Sequence, residues 1–169
     1  MNDLREMGIK VWCPYENERC TYNFQPFNIR AFRLDDSEGR FVHSNADGSE
    51  CPIYGFYIMC DGEVMVYATD CEFIKYRFTG IQNLLLGINY SDEQITTENE
   101  SKRRHILNGH LALNTALEFI RVTDRDKTLK RIVVGHLSSE NSNRDVFEKA
   151  IREVTDADIY FAKKGLRIT

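Results

Sequence analysis

Residues 53–70, IYGFYIMCDGEVMVYATD, constrain the fold more than any other stretch, because they specify a piece of antiparallel sheet almost unaided. Two runs rich in β-branched and aromatic residues are joined by Asp61-Gly62. That dipeptide suits a two-residue hairpin turn, whose central positions need positive φ. Beyond it, NLLLGIN at 83–89 is a continuous apolar run, the pattern of a strand buried on both faces. LALNTALEFIRV sets Leu113, Ala116, Leu117 and Ile120 at helical spacing. RIVVGH is a further buried strand, SENSNRDVFEKAIREV a second amphipathic helix carrying Val146, Phe147, Ala150, Ile151 and Val154, and DIYFA a last strand. The order is several antiparallel strands, then helix, strand, helix, strand. The helices suffice to cover one face of a sheet whose other face also reads as apolar and in need of cover.

The flanking segments are read from their local signals. NDLREMG predicts a short helix stopped by Gly8, and IKVWC a short strand. Residues 21–34 are strand-like, with Pro26 at an edge or bend. Residues 35–50 form a polar insertion rich in turn formers, EFIKYRF a helical turn broken at Gly80, and residues 91–108 a polar, partly helical segment. In RIVVGHLSSENSN, Ser138 or Ser139 is expected to open the second helix. With no internal repeat, linker or low-complexity tract, residues 1–169 are expected to form one domain.

Composition narrows the functional classes. The chain is 42% hydrophobic and 28% charged, as in ordinary soluble globular proteins. Its net charge of −4 gives no basis for broad capture of nucleic acid or anionic membrane. No apolar run approaches the roughly 20 residues of a membrane span, and MNDLREMGIK lacks the apolar core of a signal peptide. The five cysteines, Cys13, Cys20, Cys51, Cys60 and Cys71, contain no CxxC pair. Free thiols in a reducing cytoplasm are the expectation, several of them filling core space.

The chemistry-bearing residues cluster at strand ends. Of four histidines, His43 falls in the polar insertion and His105 on a charged helical face, where a solvated role suffices. His110 and His136 both occur as Gly-His-Leu just before a helix. Asp70 ends the hairpin strand in VYATDC. Singly, each is explained by helix capping; together they read as parts of one site.

The segments YGFYI, VMVYATDCEFIKYRF, LLLGINYS, RRHILNGHLALNTALEFI and IVVGHLSSENSN, in this order, resemble the C-terminal half of metallo-β-lactamase-fold hydrolases. The resemblance is to the bacterial and phage branch related to the tRNA 3′-processing endonuclease and other phosphodiesterases, and covers roughly residues 3–165. It implies an α/β (α+β) fold, half of an αββα sandwich, with a mixed sheet and helices on one face. It implies that Asp70 is the metal-bridging aspartate, that His136 is the late metal-ligating histidine, and that His110 assists proton transfer to the leaving group. The implied cofactor is zinc or manganese, and the implied substrate a phosphodiester.

The family's HxHxDH motif does not occur in the chain. The resemblance therefore implies a metal that is weakly held or absent in this chain alone, and a chain inactive by itself. Three readings follow: a truncated or split hydrolase, a non-catalytic binding or regulatory module, and a fragment whose activity belongs to a longer protein. In each, the uncovered apolar face is expected to be buried by a homodimer or by a partner carrying the N-terminal half, with no membrane involvement.

Overall fold

The computed structural model describes residues 2–14, 20–34, 43–44, 48–95 and 109–168. The hairpin predicted from Asp61-Gly62 is present: β5 (Tyr54–Cys60) pairs antiparallel with β6 (Glu63–Ala68), and the two turn residues have φ 49° and 81°. Upstream, β1 (Thr21–Phe24) and β2 (Phe27–Arg33) form a second hairpin around the cis Gln25–Pro26 bond, and β2 pairs antiparallel with β5. Downstream, β7 (Asn83–Gly87), β8 (Arg131–Gly135) and β9 (Asp158–Phe161) add in parallel to β6. The result is a mixed seven-stranded sheet ordered β1-β2-β5-β6-β7-β8-β9, beside a small pair formed by β3 (His43–Ser44) and β4 (Glu50–Cys51). Helix α1 spans Asn2–Glu6, α2 Leu113–Thr123 and α3 Arg144–Arg152.

Register divides the sheet into two unlike faces. Val66, Leu84 and Ile132 are cross-strand partners and fully buried, as are Ala68, Leu86 and Val134 one step further along. Ala116 and Ile120 of α2 and Phe147 and Ile151 of α3, all fully buried, join them in one core. The opposite face carries Tyr67, Leu85, Val133 and Tyr160 in register, all only half-buried. NLLLGIN therefore departs from the both-faces-buried expectation: Leu84 and Leu86 are enclosed, whereas Leu85 looks out from the uncovered side.

Three local expectations fail for physical reasons. IKVWC is not a strand: Trp12 instead lays its ring on Tyr22 and Phe56, at 5.4 and 6.1 Å between centroids, and so caps the β1–β2–β5 end of the open face. EFIKYRF is not helical. Ile74, Tyr76 and Phe78 turn inward at every second residue, and Phe32, Tyr57 and Phe119 receive the two rings. Serine does not open α3 either. Asn143 does, its side chain accepting from the amides of Asp145 and Val146, while Ser138 Oγ closes a turn by accepting from Glu140 and Asn141. Residues 35–42, 45–47 and 96–108, and with them His105, lie outside the described residues. Among those described, no helix is long and apolar enough to cross a membrane.

Candidate functional site

In a sheet with parallel strands the C-terminal strand ends converge at one rim, where loops are free to present side chains. β6 is followed by Asp70, β7 by Asn89 and β8 directly by His136. Their loops are tied together by backbone: Ile88 N donates to Gly135 O, Ser138 N to Asn89 O, and Asn89 N to Leu111 O. Leu113 N donates to Tyr90 O, and Tyr90 bridges Ala112. These bonds draw the segment before α2 onto the same rim and deliver His110.

The side chains meet there. His136 Nε2 lies 2.9 Å from Asp70 Oδ1, and the rings of His110 and His136 are 5.2 Å apart, tilted by 33°. One ligand-capable atom from each of Asp70, His110 and His136 lies within 4.8 Å of the others. The three residues singled out by sequence thus share one rim. Asn89 was missed; its Nδ2 donates to His136 O at 2.9 Å and lies 3.2 Å from His136 Nδ1. Its sequence signal was the same as for the others, a polar residue just past an apolar strand.

Two backbone features mark the rim. Asp70 and His136 have φ of 56° and 60°, the left-handed region that residues with a Cβ seldom occupy. At Gly87 a Cβ would stand 3.0 Å from Thr69 Cα and 3.1 Å from Thr69 Cβ, so glycine permits the chain leading into Asp70 to lie against β7. Cys71, next to Asp70, does not join the donor set. Burial, aided by the Asp70 charge, pushes its thiol up to about 12, and it remains a neutral core filler. All five cysteines are free.

One carboxylate and two imidazoles at this spacing suit a first-row divalent ion with open positions for water or substrate. Neither family models nor curated proteins match the chain. Solved structures do. The metallo-beta-lactamase fold protein YhfI from Bacillus subtilis superposes with a TM-score of 0.55 at 15% identity, over 86% of this chain and 50% of its own. Zn(2+)-bound PqqB from Methylobacterium extorquens gives 0.57 at 15% identity, over 88% and 52%. Human tRNase Z, short form, gives 0.48 at 15% identity, over 99% and 61%. The chain has the fold of about half of a metallo-β-lactamase domain and spans roughly half the length of the first two structures.

Proposed function

We propose that this half-domain supplies part of a divalent-metal centre for phosphodiester hydrolysis, and that it turns over only when its open sheet face is covered. The convergence of Asp70, His110 and His136 within 4.8 Å at the parallel strand ends carries the reading. Asp70 and His136 would hold zinc or manganese, and the ion supplies Lewis acidity toward a phosphoryl oxygen. His110, whose ring lies 5.2 Å from that of His136, would pass a proton to the leaving oxygen. Among the described residues the donor set is short of a dinuclear centre, which favours a chain inactive alone.

The occupant of the open face is inferred to be a complementary sheet layer. Tyr67, Leu85, Val133 and Tyr160 form an apolar strip in register, and the chain covers only 50% and 52% of the first two matched structures. A non-catalytic module would use the same strip for a partner.

Zinc titration of the purified chain tests the metal reading. The expected result is one zinc per chain, weakened at least tenfold by Asp70→Ala or His136→Ala, with no release of p-nitrophenol from bis(p-nitrophenyl) phosphate. Zinc binding indifferent to both substitutions would overturn it. Light scattering of the same sample separates the occupants: a monomer supports a cover supplied by another chain, and a stable dimer makes the occupant a second copy.

A further inference from the structure

We propose that Asn89 is a positioning residue that holds His136 in the Nε2–H tautomer and thereby weakens metal binding at the rim. The inference rests on the metal-site reading for its second half only. The Asn89 amide nitrogen has two hydrogens and two acceptors within reach. One is His136 O at 2.9 Å, a carbonyl that can only accept; the other is His136 Nδ1 at 3.2 Å. The carbonyl contact fixes which way the amide faces, since a reversed amide would set two oxygens against each other. With an N–H directed at it, Nδ1 must be the acceptor, and the ring proton of neutral His136 then resides on Nε2. That proton points at Asp70 Oδ1, 2.9 Å away.

This is the reverse of what a ligand histidine needs. A neutral imidazole binding a metal through Nε2 carries its proton on Nδ1, usually donated to a carboxylate or carbonyl. Here Nδ1 meets a donor instead. Loading the rim therefore requires Asn89 to give up its bond to the His136 carbonyl and Asp70 to lose its bond to Nε2–H. The pair is self-satisfied without an ion, and Asn89 keeps it so. The backbone of Asn89 is bonded to Leu111 and Ser138 independently of its side chain, so substitutions there leave the rim connected.

The test uses the full chain with 15N-labelled histidine, parent against Asn89→Asp and Asn89→Ala, with folding checked by thermal unfolding. Long-range 1H–15N spectra of metal-free protein report the His136 tautomer directly. The parent is expected to be Nε2-protonated and Asn89→Asp to be Nδ1-protonated. Zinc affinity is expected to rise about tenfold in Asn89→Asp, with Asn89→Ala, which adds no charge, between the two. A parent already Nδ1-protonated, a tautomer unchanged in Asn89→Asp, or a switched tautomer with zinc no tighter would each overturn the proposal. If the tautomers switch as stated and no variant binds zinc, the lock stands while the metal reading and its affinity consequence fall.

Discussion

Asp70 and His136 meet at 2.9 Å through their side chains while both backbones occupy the left-handed region, at φ 56° and 60°. The arrangement pairs two left-handed residues across neighbouring loops. It costs backbone energy at both positions, and the surrounding hydrogen bonds hold it.

The first expectation concerns that cost. His136→Gly and His136→Ala both remove the pair with Asp70, but only glycine relieves the backbone. The glycine variant is expected to be more stable than the alanine variant by about 1 kcal/mol, the inverse of the usual order. Paired thermal melts measure it, and an alanine variant equal to or above the glycine variant refutes it.

Gly87→Ala is expected to act on the site from outside it. Its Cβ would press on Thr69 at 3.0–3.2 Å and displace the chain entering Asp70. A stability loss of about 1–2 kcal/mol is expected from the overpacking, together with a severalfold loss of zinc affinity. Unchanged zinc affinity would mean that the loop adjusts without moving the carboxylate.

Asp124, at the C-terminal end of α2, is 3% exposed. It accepts from Thr155 Oγ1 at 2.7 Å and from Leu129 N at 3.1 Å, fastening the loop before β8 to the segment after α3. Asp124→Ala leaves two buried donors unpaired and is expected to cost about 2–3 kcal/mol in denaturant unfolding.

Acid sensitivity is expected at the other end of the sheet. Hydrogen bonds from Lys130 and Asn83 hold the Glu63 carboxyl below its ordinary value, reaching from β6 to β7 and the residue before β8. Because the folded value lies below the unfolded one, the stabilisation is complete above the ordinary carboxylate range. It is lost as pH falls through the depressed value. Glu63→Gln should flatten the acid limb of a melting-temperature profile slightly, and added salt should shrink the difference, since the group is exposed.

The open face gives a fifth expectation. Leu85→Lys with Val133→Lys places charge where two half-buried apolar residues sit in register. The pair is expected to leave folding nearly intact, since neither residue belongs to the helix-covered core, and to abolish any association through that face. Sedimentation velocity reads the second effect and thermal unfolding the first.

Much of this was legible in the residues. Asp61-Gly62 specified its hairpin because turn chemistry is local, and Ala116 and Ile120 specified a helix because their spacing admits only one buried stripe. Asp70, His110 and His136 were found because each follows an apolar strand or a Gly bend. What escaped was non-local. Trp12 is drawn out of strand pairing by two rings contributed from β1 and β5, and Tyr76 and Phe78 are drawn out of a helical turn by the aromatic cluster beneath them. Asn89 escaped because an asparagine after a strand reads as an ordinary cap, and only the placement of His136 gives its amide two acceptors.

Trp12 is the chain's single tryptophan, and it rests against Phe56 at the margin of the uncovered strip. Its emission therefore works as an intrinsic optical gauge of that surface: whatever molecule comes to cover the strip will dry the indole and move its fluorescence toward the blue.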